Sequence, residues 1–254
     1  MISGRRIVML SNSTIFEREE ELEQLRKRFV IRRSFLFHGP AGVGKTLLLQ
    51  QVGSEFTDVL YSPQNPTSQS LYRNLAVSLL KMEHPVLTKA CPSENASLPG
   101  KTAVSVKGLV RDALGDMKYL VIVDHLVRPS QALAASIREL MLNWSVPVIA
   151  VSRSAHMEDA GFVLPLFPDR SERFSLQNFD PEPARRFAAV CAEREGVTAK
   201  NIEQFLARVV EFTDGNPGAV LQMIRMAKAP KYLHESQIKT APLFIDYRIA
   251  MVSQ

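Results

Sequence analysis

Gly39-Pro40-Ala41-Gly42-Val43-Gly44-Lys45-Thr46 follows the short apolar run SFLF at 34–37 and precedes the apolar run at 47–49. The order is strand, glycine loop, helix, and the loop fits the pattern G-x-x-x-x-G-K-[ST]. Each fixed position has a physical task. The glycines, lacking a Cβ, let the backbone turn its N–H groups inward. Those amides, with a helix N-terminus carrying about half a positive charge, cradle a β-phosphate. The Lys45 ammonium reaches the β- and γ-phosphates, and the Thr46 hydroxyl is a ligand for Mg²⁺. The expected ligand is ATP with Mg²⁺, held by Gly39, Pro40, Ala41, Gly42, Val43, Gly44, Lys45, Thr46 and Leu47.

Reading outward from this loop, short strands and helices alternate. The segment 17–29 (EREEELEQLRKRF) leads with acids, ends with bases and spaces Leu22 and Leu25 for a helix. Strands are expected at 34–37, 58–61, 119–123, 146–151 and 173–176, the third and fourth being continuous apolar runs of the kind buried in parallel sheets. Helices are expected from 47, at 70–82, at 104–114 and at 131–142. Residues 84–100, rich in Pro, Ser and Asn, read as a surface loop. Beyond Asp180 the pattern is helical only, at 181–195, 199–212 and 219–226. The fold expected is α/β, a doubly wound parallel P-loop sheet with a small C-terminal all-helical lid. The domains are 1–177 for the nucleotide and 178–254 for the lid and tail, the tail from 230 having no assigned place.

A carboxylate at the end of a neighbouring buried strand is the second requirement of such a site, since it holds Mg²⁺ through its water shell. Asp124, closing the 119–123 run, meets it. The next residue is often a glutamate that orients the attacking water; here it is His125, read either as a base or as a strand-end residue facing solvent. Ser152 and Arg153 end the 146–151 strand, which the usual winding places between the P-loop strand and the Asp124 strand. Arg153 there either senses a γ-phosphate or is an ordinary surface arginine. Arg170 and Arg173, in PDRSERF at 168–174, are candidates for an arginine finger acting across a boundary between copies of the chain, or else form a solvated basic turn.

The bulk properties agree with a globular protein. The chain has 254 residues, 46% hydrophobic and 22% charged. Its two cysteines, Cys91 and Cys191, have no metal-ligand spacing, which fits a reducing cytosol. No apolar run approaches bilayer length, and the 7–10 patch is too short for a signal-peptide core, so a cytoplasmic location and no membrane partner are expected. The net charge of +5, from 31 basic and 26 acidic residues, allows a DNA partner but supports it weakly, because the basic cluster at 26–33 has acids at 17–23 just upstream.

Together these residues resemble the AAA+ superfamily and the related signal-transduction ATPases with numerous domains, the STAND proteins. The stretch 15–22 (IFEREEEL) is similar to an F-x-G-R-E-x-E-L motif that lies near the adenine in those families, with Glu17 in place of the glycine. LVIVDH at 120–125 is similar to their Mg²⁺-binding strand, and VIAVSR at 148–153 to a sensor strand whose arginine contacts the γ-phosphate. Gly215-Asn216-Pro217-Gly218-Ala219 is similar to a G-x-P motif whose proline, Pro217 here, sits against the base. The resemblance spans roughly 14–228. It implies a slow Mg²⁺-dependent ATPase whose nucleotide state sets the angle of a helical lid. It also implies possible self-association with a finger in trans and an unidentified protein partner. The alternative is a non-catalytic nucleotide-binding adaptor. A small-molecule kinase would need an arginine-rich closing lid, which the sequence does not show.

Overall fold

Five parallel strands form the sheet of the computed structural model, which describes residues 16–91, 102–116 and 119–252. In chain order the elements begin with α1 (Glu19–Ile31), β1 (Phe35–His38), α2 (Lys45–Gly53), β2 (Val59–Ser62) and α3 (Ser68–Lys81). They continue with α4 (Pro85–Ala90), α5 (Ala103–Asp116), β3 (Leu120–Leu126), α6 (Gln131–Arg138), β4 (Val148–Ser152), α7 (Met157–Ala160) and β5 (Arg173–Ser175). The helical C-terminal region holds α8 (Pro181–Glu195), α9 (Ile202–Phe212), α10 (Pro217–Met226), the two-residue strands β6 (Leu233–His234) and β7 (Gln237–Ile238), and α11 (Thr240–Val252).

The strand order is β2-β3-β4-β1-β5. β4 therefore lies between the P-loop strand and the Asp124 strand, as the winding expected from the sequence requires. The continuous apolar strands are explained by burial on both faces. Leu36, Val121, Val123, Val148 and Ala150 face a core made with α3, α5 and α6. Phe35, Phe37, Leu120, Ile122, Ile149 and Val151 face the opposite core, built on Leu48, Leu49 and Val52 of α2 and on Leu25 and Phe29 of α1. One strand thus feeds two cores by alternation, each fully buried Leu or Phe contributing about 1.5–3 kcal/mol.

Two readings need correction. Residues 85–90 are helical rather than loop: Pro85 occupies the first turn, the His84 Nδ1 accepts from the Val86 N–H at 3.3 Å, and Leu87 is fully buried. The remainder of that expected loop, 92–100, lies outside the described residues, as do the 7–10 patch and Ile15. The tail also has a place. Tyr232, Ile238, Leu243 and Tyr247 enter the same apolar cluster as Ala188, Phe205, Val209 and Met223, so α11 and the small hairpin complete the core of the helical region. Its composition, apolar and aromatic without a clean helical stripe, hid this from a periodicity reading. Among the described residues, no helix is long and apolar enough to cross a membrane.

Candidate functional site

The carboxyl ends of β1, β3 and β4 converge because the strands are parallel, and the residues that follow them form the site. Between β1 and α2 the loop 39–46 turns with Gly42 at φ 79° and Gly44 at φ 105°, conformations that other residues adopt only at a cost. Gly39 is required for a different reason: a Cβ there would lie 2.1 Å from the Leu176 carbonyl oxygen, where the chain leaves β5. Lys45 lies along its own loop, donating from Nζ to the Gly39 carbonyl at 2.6 Å and the Pro40 carbonyl at 2.9 Å. Burial pushes its ammonium down to about 8; Asp124 acts in the opposite sense, and the nearby Arg153 adds to the depression. Leu47 is exposed on the first turn of α2.

Asp124 is 1% exposed. A carboxylate so buried needs donors, and it has three. Its Oδ2 accepts from the Thr46 hydroxyl at 2.8 Å and from the Tyr61 hydroxyl at 2.6 Å, while Oδ1 accepts from the His125 N–H at 2.7 Å. The Tyr61 phenol is pushed well above its usual range, first by burial and then by this carboxylate. Sequence reasoning missed Tyr61. The signal was present in a hydroxyl near the end of the strand that pairs with β3, Tyr61 lying opposite Ile122, but only the sheet order shows that the two strands adjoin.

His125 sits in the left-handed region at φ 54°, where the pairing of β3 with β4 shifts between Val123 and Leu126. Its side chain is 55% exposed, with Nε2 at 3.7 Å from Asp124 Oδ2. Arg153, just past β4, is exposed and close enough to Lys45 to influence its charge. Arg170 is exposed in a short 3₁₀ turn (Arg170–Glu172) that leads into the start of β5, the edge strand beside β1, at the end away from the loop that follows β1. Arg173 is committed within its own chain, donating to the carbonyls of Phe167 at 2.9 Å and Pro168 at 3.2 Å. With burial and with Lys45 and His156, it lowers the His38 imidazole below its usual range. The structure therefore brings together Lys45, Thr46, Asp124 and His125, sets Arg153 at their margin, and leaves Arg170 apart.

The segment 215–219 touches the P-loop directly, and Pro217 occupies the first turn of α10. The Gly218 N–H donates to the Gly42 carbonyl at 3.0 Å, and Asn216 Nδ2 donates to the Ala41 carbonyl at 2.9 Å. On the other flank Glu17, at φ 44° in the left-handed region that favours glycine, forms a two-pronged ion pair with Arg186 of α8 at 2.8 and 2.7 Å. Arg18, 6% exposed, donates to the Gln177 carbonyl at 2.7 Å and covers the Phe179 ring at 4.2 Å. The start of the described chain is thus fastened to the segment that joins β5 to α8.

The donor set suits a hard divalent cation. A hydroxyl and a buried carboxylate 2.8 Å apart supply oxygen ligands, and among the described residues no group of three or more His, Cys, Asp or Glu could cage a metal. An ion here would draw its remaining ligands from water and phosphate, as Mg²⁺ does.

No family model matches the sequence, and no curated protein matches it. Solved structures do. A Walker-type ATPase of Pyrococcus abyssi superposes with a TM-score of 0.63 at 16% identity, covering 94% of this chain and 74% of that one. The Orc1 protein of Aeropyrum pernix, solved in complex with DNA, gives 0.60 at 15% identity over 94% of this chain and 66% of that one. A variant of RuvB from Thermotoga maritima gives 0.51 at 14% identity, with 91% and 67% covered. This chain spans about two thirds to three quarters of their lengths.

Proposed function

We propose that this chain, which has the α/β parallel sheet and helical C-terminal region of the P-loop NTPase fold, binds ATP with Mg²⁺ on residues 39–46 and acts as a nucleotide-dependent switch or assembly helper that hydrolyses ATP slowly. The observation that carries this reading is the buried Asp124 carboxylate at 2.8 Å from the Thr46 hydroxyl, beside a glycine loop whose lysine donates to two carbonyls of that loop. Lys45 would exchange two neutral carbonyls for the β- and γ-phosphate oxygens, a charge-assisted and therefore stronger contact. Thr46 and Asp124 would hold Mg²⁺, which supplies charge neutralisation at the phosphates. Arg153 would stand near the γ-phosphate, Pro217 near the base, and residues 178–254 would form the lid on the core 1–177.

The STAND-type assignment rests on the residue pattern at 15–22, 148–153 and 215–219. Self-association with Arg170 as a finger in trans is consistent with that side chain being exposed and away from its own P-loop. One observation favours the adaptor reading: the position expected to orient water is held by an exposed histidine on a bulge. DNA is a partner to test, since one structural neighbour was solved in complex with it.

The test of the binding reading is thermal. At ATP near 100 times Kd, MgATP stabilises by about 2.7 kcal/mol, roughly 5–10 °C for a chain of this size. Lys45→Ala is expected to lose most of that shift, and equal shifts in both proteins would remove the assignment.

A further inference from the structure

The phosphate loop has two sides, and its carbonyl side is held by the start of α10. Asn216 caps that helix, its Oδ1 accepting from the Ala219 N–H at 3.1 Å. Its Nδ2 donates both hydrogens, to the Ala41 carbonyl at 2.9 Å and to Asn178 Oδ1 at 3.0 Å. Gly218 adds its N–H to the Gly42 carbonyl. The approach leaves no room for side chains: a Cβ on Gly218 would lie 2.8 Å from Gly42 Cα, and one on Gly42 would lie 2.8 Å from Asn216 Oδ1.

A trans peptide points its C=O and N–H in opposite directions. Drawing the carbonyls of Ala41 and Gly42 toward α10 therefore turns the amides of Gly42 and Val43 to the far side, where a phosphate would be bound and where the Val43 N–H meets the Pro40 carbonyl at 3.4 Å. We infer that Asn216, assisted by Gly218, is a positioning residue that sets two P-loop peptides and thereby couples phosphate binding to the stance of the helical region. The link extends to the segment joining the two parts of the chain. Asn178 lies in it, and the Phe179 N–H donates to the Gly215 carbonyl at 3.1 Å. A rotation of α10 away from the loop 39–46 breaks the Asn216 and Gly218 bonds and frees both peptides. A rearranged P-loop, conversely, withdraws the acceptors that hold α10. This inference rests on the ATP reading for its ligand but not for its geometry.

Asn216→Ser in the full chain keeps a capping oxygen and removes the two amide donors. The expected results are a Kd for MgATP raised about tenfold, the loss of about one buried hydrogen bond, and faster amide exchange over 39–46 in the ATP-free protein. The ATP-free melting temperature should move little, which separates positioning from folding. Asn216→Asp keeps the cap, sets a carboxylate against the Ala41 carbonyl, and should weaken MgATP further. Affinity within about twofold of wild type, together with unchanged exchange at 39–46, overturns the inference. Should Asn216→Ser fail to fold, Gly218→Ala makes the same separation from the other partner and is judged by the same two readouts. If neither wild type nor Lys45→Ala binds ATP, the binding reading falls, and exchange at 39–46 in the ATP-free variants decides the positioning inference alone.

Discussion

Asp124 and His125 are consecutive residues with opposite environments. The carboxylate is enclosed, with three donors fixing both oxygens; the imidazole projects from a left-handed bulge with more than half its surface in solvent. The same contrast separates the cradle from the margin of the site. Residues 39–46, Tyr61 and Asp124 are held by hydrogen bonds within the chain, whereas Arg153 at the margin is exposed. What would hold phosphate and metal is pre-organised, and what would accelerate hydrolysis is not. Pre-organised dipoles are worth most where water is excluded. We read the chain accordingly as a binder first, whose turnover depends on what docks against its exposed margin.

This contrast can be broken or sharpened by experiment. The largest effect expected is on pH. Lys45 must be charged to hold phosphates, and burial lowers it to about 8 in the free protein. The charge is present below that value and lost as pH rises through it, so MgATP affinity should be constant below pH 7 and fall about tenfold between pH 7 and pH 9. An affinity flat across that window would place the lysine outside the site. Smaller is the effect of Tyr61→Phe, which removes one of three donors to Asp124. We expect the Mg²⁺-dependent part of ATP affinity to drop about fivefold, with the Mg²⁺-free affinity unchanged, as measured by titrations with and without the ion. Smallest should be His125→Ala, leaving nucleotide affinity within about twofold. Its readout is single-turnover hydrolysis at saturating ATP: slower for Ala and faster for His125→Glu if the imidazole is a base, and equal to wild type in both if it is only a strand-end residue.

Much of the cradle was legible because its chemistry is local. Eight consecutive residues specify loop, charge and hydroxyl, and a buried strand ending in Asp124 specifies the carboxylate. The sheet was legible for a related reason: strands covered on both faces read as unbroken apolar runs. What was not legible depends on which strands adjoin and which loops touch. Tyr61 acts on Asp124 only because β2 pairs with β3. Asn216 was visible within a lid motif, but its grip on Ala41, 175 positions away, is a tertiary fact. Glu17 looked like a flaw in its motif, and the structure shows it paired with Arg186 across the same boundary. The helix at 85–90 was masked by a composition of loop formers that in fact supplies its cap and its first-turn proline.

The central claim is that ATP phosphates rest on the loop 39–46, and the most direct measurement is amide hydrogen exchange, resolved by peptide, with and without MgATP. Slower exchange over 39–46 is expected on adding MgATP, with a second protected stretch at the start of α10 and neither effect in Lys45→Ala. Unchanged exchange at 39–46 under saturating MgATP, or equal protection in Lys45→Ala, would contradict it.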